Sequence, residues 1–407
     1  MKFMEFFISN ARWILGGMLL GFGSSFGQTF FIAQFSAELR AAYGLSHGEF
    51  GSLYMAATLA SAFCFIWVGK IVDYVPTVVV GCGALIVLAG FTFFMAWQDS
   101  VIMLGLCLFG LRLFGQGSLP HISQTAMARW FNASRGKALS LANFGNMLGE
   151  AMLPLVAVAL MAALGWRNLW LLAGASLLLG FLPISYLLLR KDRSPQNPSA
   201  TEMARGPVTS WQRGQVIRDW RFWLAMAAAI AVPTFMTGVM FHQVQLMEAK
   251  GWARTTIPAL LPLYAGLGAV FSLSAGALID RFSAAALLPM MIIPLGCGLL
   301  ALSAIEAESL VFLAMVCFAL SMGCWGAVMS AYLAETFGTM YLGGIRAVYT
   351  ALVVFGSAMA PGVMGLLVDY GVSLSEQFIY CAVYCFALSL ALYLMRGAMQ
   401  AQKEPAT

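Results

Sequence analysis

Residues 77–97 read TVVVGCGALIVLAGFTFFMAW, a run of twenty-one positions without a single charge. At 1.5 Å per residue a helix of that length rises about 31 Å, which matches a hydrocarbon core about 30 Å thick. Turn chemistry closes the run on both sides, with Asp73-Tyr-Val-Pro76 before it and Gln98-Asp-Ser100 after it. The run shows no two-residue alternation. A helix, which satisfies its own backbone N–H and C=O groups, is the structure that lipid permits here.

Working outward, the pattern recurs along the chain. Spans are expected near 13–35, 49–70, 77–97, 101–129, 138–164, 168–189, 222–247, 256–279, 284–304, 309–334, 345–368 and 377–395. The chain is 61% hydrophobic and 10% charged, against about half and about a quarter in an ordinary soluble domain. In water such a surface would aggregate; in a bilayer it is the right surface. The 41 glycines and 25 methionines suit the same setting, because small residues let helices approach closely. The run after Arg12 is long enough to span and lacks a small-residue cleavage pattern, so a retained first helix is expected.

The net charge of +5 does not mark a nucleic-acid partner, since no basic stripe interleaves with aromatics. All eight cysteines lie in apolar runs, without a Cys-x-x-Cys pair or a Cys–His spacing. They read as small apolar residues; neither a metal nor any other cofactor is expected. Of the 22 Lys and Arg, only Arg40, Arg167, Lys250 and Arg254 fall on one side of the expected spans, Arg112 lies inside one, and seventeen fall on the side of the termini. Positive charge stays inside, so both termini are expected in the cytoplasm of a multi-pass protein of the bacterial inner membrane. A monomer is the expected assembly.

One long polar stretch, from Arg190 to Trp220, divides six spans from six. It sets an N-terminal bundle at 1–190, a cytoplasmic linker at 191–220 and a C-terminal bundle at 221–407. A short amphipathic segment near Trp211 to Trp220 is expected to lie on the membrane. Sliding the chain on itself by about 207 positions brings Gly69-Lys-Ile-Val-Asp73 onto Gly276-Ala-Leu-Ile-Asp280 and Pro154 onto Pro361, with Phe131 near Phe337 and Arg135 near Arg346.

The fold class expected is therefore all-α and integral to the membrane: twelve transmembrane helices in two pseudo-symmetric six-helix bundles. Two parallel six-helix repeats resemble the major facilitator fold. Arg112-Leu-Phe-Gly115-Gln-Gly117 resembles that superfamily's R-x-x-G-x-G signature, and Gly69-x-x-x-Asp73 and Gly276-x-x-x-Asp280-Arg281 resemble its loop motif. Arg129-Trp-Phe131, Arg135-Gly-Lys-Ala138 and Gly165-Trp-Arg167 resemble the branch of monocarboxylate and oxalate–formate carriers. Two departures stand against that branch. Tyr74-Val-Pro76 replaces the basic tail of the first loop motif, and residues 256–279 and 347–368, in spans eight and eleven, include no Lys or Arg to hold a dicarboxylate.

A charge inside the hydrocarbon is a functional-site hypothesis by default. Arg112 lies about 16 Å into span four and Glu150 about 18 Å into span five from the opposite face, so both stand near mid-membrane. An arginine there can hold a carboxylate bidentately and a carboxyl can load a proton; a static ion pair bracing two helices is the plainer alternative. Asn143, Asn146, Glu150 and Pro154 share one helical stripe, which lines a wet cavity or bonds a neighbouring helix. Gln28 and Thr29 in span one, Thr237 in span seven, and Tyr264 and Trp325 are candidates for substrate contact, against a plain packing role. His242 and His121 are candidate proton relays, against plain hydration near the membrane interface. The resemblance implies that each half's second helix borders the fifth helix of the other half. That sets Asp73 near Arg346 and Asp280 near Arg135 as a cytoplasmic gate.

No nucleophile–base set or phosphate loop appears, so no enzyme is expected. The leading expectation is proton-coupled symport of a small organic anion, a monocarboxylate among the candidates, by alternating access. Its partners are that small-molecule substrate, protons and the lipid bilayer. Export of amphipathic compounds or drugs by proton antiport is the alternative within transport. A non-transporting receptor or scaffold is the alternative of another class.

Overall fold

The structure is a computed structural model, and it describes residues 2–131, 134–191, 193, 211–338 and 341–400. Eleven helices among the described residues are long and apolar enough to cross a membrane. The twelfth crossing is the first one, which is interrupted. The chain is thus the all-helical, twelve-span membrane protein that the apolar runs specify, and it divides into two units, Met1–Ala204 and Arg205–Thr407.

In the first unit, span one is the helix Lys2–Ser24 continued by broken turns to the helix Ser36–Tyr43. Spans two to six follow as His47–Val68, Thr77–Trp97, Val101–Trp130, Arg135–Leu164 and Trp166–Leu189. Span one packs on span five through two facing small-residue ladders. A Cβ on Gly21 would stand 3.1 Å from the Ala142 carbonyl, and one on Gly17 3.2 Å from the Ala142 Cβ. From the other side, Gly145 rests on the Met18 backbone and Gly149 on the Ser25 hydroxyl, both too closely for any side chain. In lipid, where apolar burial drives nothing, such close backbone packing is what holds helices together.

The second unit holds span seven as Trp220–Phe241 with a short continuation Gln243–Lys250. Spans eight to twelve are Thr256–Phe282, Ala284–Ala304, Val311–Phe337, Leu342–Asp369 and Leu374–Gln400. Glycines again set the close crossings. Gly238 of span seven faces the Met364 sulfur of span eleven, and Gly323 of span ten faces the Gly268 carbonyl of span eight.

Two spans expected to be continuous are not. Span one unwinds after Ser24, and Gln28 is extended at φ −84°, ψ 153°. The segment Gly23-Ser-Ser-Phe-Gly27 contains weak helix formers only, so tertiary contacts decide its course. Span seven bends at His242 (φ −92°, ψ 11°). Phe35 does the same in span one (φ −95°, ψ 3°), and the two lie 207 positions apart. The repeat continues into the caps: Gly44 and Gly251, also 207 apart, end the following helices in the left-handed region at φ 64° and 68°.

The linker's described end is docked on the second unit. Trp211 is buried, donates its N–H to the Phe337 carbonyl at 2.9 Å, and packs its ring edge-on to Phe337. Arg221, 2% exposed, lies over the Trp211 ring and is bound through Nη2 to Asp219 at 2.7 Å. The expected membrane-surface segment is reduced to one short helix, Arg213–Arg218.

Candidate functional site

Arg112 is the second residue of a π-helical stretch, Leu111–Ser118, inside span four. Wide turns of this kind are frequent at functional sites. The stretch meets the break in span one backbone to backbone. Gly27 leaves no room for a Cβ against the Leu111 carbonyl, and a Cβ on Gly115 would stand 2.6 Å from the Gly27 Cα. The glycine of the R-x-x-G-x-G signature is therefore the contact surface for the broken span.

At that contact the Arg112 guanidinium replaces the missing helix bonds. Its Nη1 donates to the Gly27 carbonyl and to Thr29 Oγ1, each at 3.2 Å. Thr29 Oγ1 also lies 2.9 Å from the Tyr54 hydroxyl, and the Tyr54 ring centroid lies 5.2 Å from the guanidinium carbon. Arg112 is 4% exposed, and its Nε is buried without a hydrogen-bond partner. A guanidinium has five N–H donors in a fixed fork, and this one has unused donor capacity facing away from water. The free carbonyls at the end of Lys2–Ser24 carry the negative end of a helix dipole, which favours a cation there.

Around the same break, Asn146 Oδ1 of span five accepts from Ser24 Oγ at 3.2 Å and from Gln28 Nε2 at 3.5 Å. The structure thus brings together Arg112, Thr29, Gln28 and Asn146. Tyr54, which belongs with them, was not among the sequence candidates; a phenol two turns into the apolar run of span two was the available signal. Glu150 lies on the same helix as Asn146, half-buried, and forms no ion pair with Arg112. Asn143 is exposed, so the stripe on span five spans different surroundings.

In the second unit the candidates are more dispersed. Trp325 donates Nε1–H to the Ala229 carbonyl at 2.8 Å, and its ring lies 6.1 Å from that of Tyr349. Its N–H is therefore committed to holding span ten on span seven, and only its ring face is left for a ligand. Tyr264 is buried, Thr237 half-buried, and the neighbouring Thr234 hydroxyl is buried without a partner. His242 is 3% exposed and bonded through both ring nitrogens.

Of the residues expected to form a gate, Asp73 is paired within its own unit with Arg129, whose Nη1 also donates to the Val72 carbonyl at 2.8 Å. Arg346 is exposed. The side chains of Asp280 and Arg135 lie outside the described residues. His121 binds the Gly69 carbonyl at 3.1 Å, closing the end of span two.

The family model for the Major Facilitator Superfamily matches residues 17–361. The multidrug resistance protein MdtL of Shigella flexneri is 26% identical over 307 residues, 74% of this chain and 74% of that protein. A probable L-galactonate transporter of Escherichia coli (strain K12) is 26% identical over 192 residues, 45% of this chain and 41% of that protein. Among solved structures, a bacterial homolog of the human lysosomal transporter Spinster, inward-facing and occupied, superposes with a TM-score of 0.73 at 14% identity, covering 98% of this chain and 99% of that one. The nucleoside transporter NupG gives 0.72 at 14% identity over 96% of this chain and 100% of that one.

Proposed function

The chain belongs to the major facilitator superfamily, and on that premise we propose that it is a secondary active transporter that carries a small organic anion together with protons. The observation that supports the anion is Arg112: a buried guanidinium with an unpartnered Nε beside the hydroxyls of Thr29 and Tyr54. A substrate carboxylate would take the free donors bidentately. It would compete with the Gly27 carbonyl and Thr29 for the same cation, and so loosen the break in span one as it binds. The hydroxyls and amides of Thr29, Tyr54, Gln28 and Asn146 suit an anion with hydroxyl groups of its own. The name of the galactonate relative, a sugar acid, agrees with that chemistry.

Proton coupling is assigned to Glu150, which is half-buried and has no cation paired to it among the described residues. The resemblance to the monocarboxylate and oxalate–formate branch supports a carboxylate substrate; the relatives named above fall in other classes. Export of amphipathic compounds is the second reading, favoured by the longer match to a multidrug resistance protein. Asp73, Asp280, Arg135 and Arg346 are proposed as a cytoplasmic gate, in a monomer whose termini face the cytoplasm of a bacterial cell.

Reconstituted proteoliposomes with an imposed pH gradient test the reading. A panel of monocarboxylates, sugar acids and cationic drugs should reveal gradient-driven accumulation of at least one carboxylate, abolished in Arg112→Gln. Accumulation of no carboxylate, with gradient-driven movement of a cationic drug, would replace the proposal by the exporter reading.

A further inference from the structure

His242 stands at the bend between Trp220–Phe241 and Gln243–Lys250, and each ring nitrogen has an oxygen against it. Nε2 lies 3.2 Å from the Pro361 carbonyl of span eleven, and Nδ1 lies 3.0 Å from Gln245 Oε1 one turn along. A carbonyl oxygen can only accept, so Nε2 carries a proton. With the amide oxygen of Gln245 facing Nδ1, the site suits an imidazolium that carries a proton on both nitrogens. A neutral imidazole has a single N–H; it fits this site only if the Gln245 amide turns and donates to Nδ1. The site therefore has two proton states, distinguished by one proton and one amide rotation.

The equivalent bend in the first unit shows what is particular here. Phe35, 207 positions earlier and fully buried, makes the same backbone turn, with its ring tilted against Trp170 at 4.8 Å between centroids. That bend is held by apolar packing and cannot bind a proton. Its counterpart is held by an imidazole.

We infer that His242 is a proton-binding site whose doubly protonated form clasps the bend of span seven to span eleven at Pro361. In that form both bonds are charge-assisted, which makes them about twice as strong as neutral ones. The imidazolium also caps the C-terminal end of a 22-residue helix, where the dipole favours a cation. The helices packed around the bend bring other titratable groups. Glu248 and Lys250 of the short helix are paired with Arg254 and Glu306. Tyr264 of span eight is buried, and Tyr384 of span twelve donates to the Ala227 carbonyl at 3.3 Å. Span eleven brings Tyr349 and Asp369 towards its two ends, whereas spans nine and ten bring cysteines to this half of the unit. Loss of the proton weakens the clasp and frees Gln243–Lys250 to move relative to span eleven. The inference does not depend on which solute the protein carries.

The test uses the full-length protein in lipid nanodiscs, without any substrate. The chain has three histidines, so nitrogen-15 labelling of histidine gives a spectrum in which His242 is found by comparison with His242→Gln. Between about pH 8 and pH 5, the range in which histidine titrates, His242 should pass from Nε2–H alone to both nitrogens protonated. Amide hydrogen exchange in residues 243–250, corrected for intrinsic rate, should slow about tenfold over the same interval, the factor expected from strengthening such bonds. Gln245→Glu, which fixes an acceptor at Nδ1, should move both changes to higher pH, and Gln245→Met should abolish the change in exchange. A single neutral form of His242 throughout, or exchange in 243–250 that does not respond to pH in the parent protein, overturns the inference.

Discussion

Arg112 Nη1 donates to the Gly27 carbonyl at 3.2 Å, so the cation of span four supplies the hydrogen bond that the unwound turn of span one has lost. Two spans are tied at one point by one side chain. Whatever draws the guanidinium away also alters the freedom of the break, because no second cation among the described residues bonds the Gly27 carbonyl.

The first prediction separates charge from geometry at that point. Arg112→Lys keeps the charge but replaces a planar fork by a point charge. It should weaken carboxylate binding by about tenfold to a hundredfold, the worth of one charge-assisted hydrogen bond, while Arg112→Gln should abolish it. Isothermal titration of the purified variants with the transported carboxylate checks this. Equal affinity in Arg112→Lys and the parent would remove the bidentate role.

The second prediction concerns the backbone contact. A Cβ on Gly115 would meet the Gly27 Cα at 2.6 Å, with no flexible side chain to yield. Gly115→Ala should therefore cost about 1–3 kcal/mol, as overpacking does, and lower the melting temperature in detergent. Gly83 in span three has nothing within 4 Å of its Cβ position. Gly83→Ala should be neutral or mildly stabilising, since alanine favours helix over glycine by up to about 1 kcal/mol. Equal melting temperatures for the two variants would mean that the spans part easily.

These two sites mark the limit of what the chain's linear pattern discloses. The spans are legible because lipid demands unbroken apolar runs, and the run at 77–97 returns as the helix Thr77–Trp97. The 207-residue register is legible too, and it extends to single backbone angles at Phe35 and His242. The break after Ser24 is not legible, since Phe30-Phe-Ile-Ala33 continues the apolar run and the turn is fixed by residues distant in sequence, Arg112 and Gly115 of span four and Asn146 of span five. Depth along a helix indicated Arg112 and Glu150 at one level. Depth says nothing of azimuth, and the arginine's recorded partners are Gly27, Thr29 and Tyr54.

A third prediction follows from Asp73, whose carboxylate is held by Arg129 of its own unit. Both side chains are about half exposed, so the pair itself contributes roughly 0–1 kcal/mol. Asp73→Asn or Arg129→Gln alone should leave the melting temperature within a degree or so of the parent. If Asp73 and Asp280 also act as gate latches, Asp73→Asn with Asp280→Asn should speed labelling of a cysteine placed in the cytoplasmic vestibule. Arg129→Gln alone should not. An unchanged labelling rate in the double variant removes the gate.

The last prediction concerns Glu150. It lies one turn beyond Asn146 on span five, half-buried, beside the glycine that rests on the Ser25 hydroxyl. That hydroxyl is buried and has no hydrogen-bond partner. An ionised carboxyl in such a place is costly unless a cation or several donors face it, and among the described residues neither bonds Glu150. Glu150 is the proposed proton site, while Arg112 is bound to the break in span one. Glu150→Gln fixes the neutral form at nearly constant volume. Substrate exchange across a membrane without a gradient should persist in that variant, because the Arg112 cluster is untouched. Accumulation driven by a pH gradient should fall to the background level, since no proton is carried with each cycle. Both are read in one preparation of proteoliposomes, by radiolabelled exchange and by a trapped pH dye. Proton movement that persists at the parental rate in Glu150→Gln would transfer the coupling role to another group, and His242 is the next to substitute.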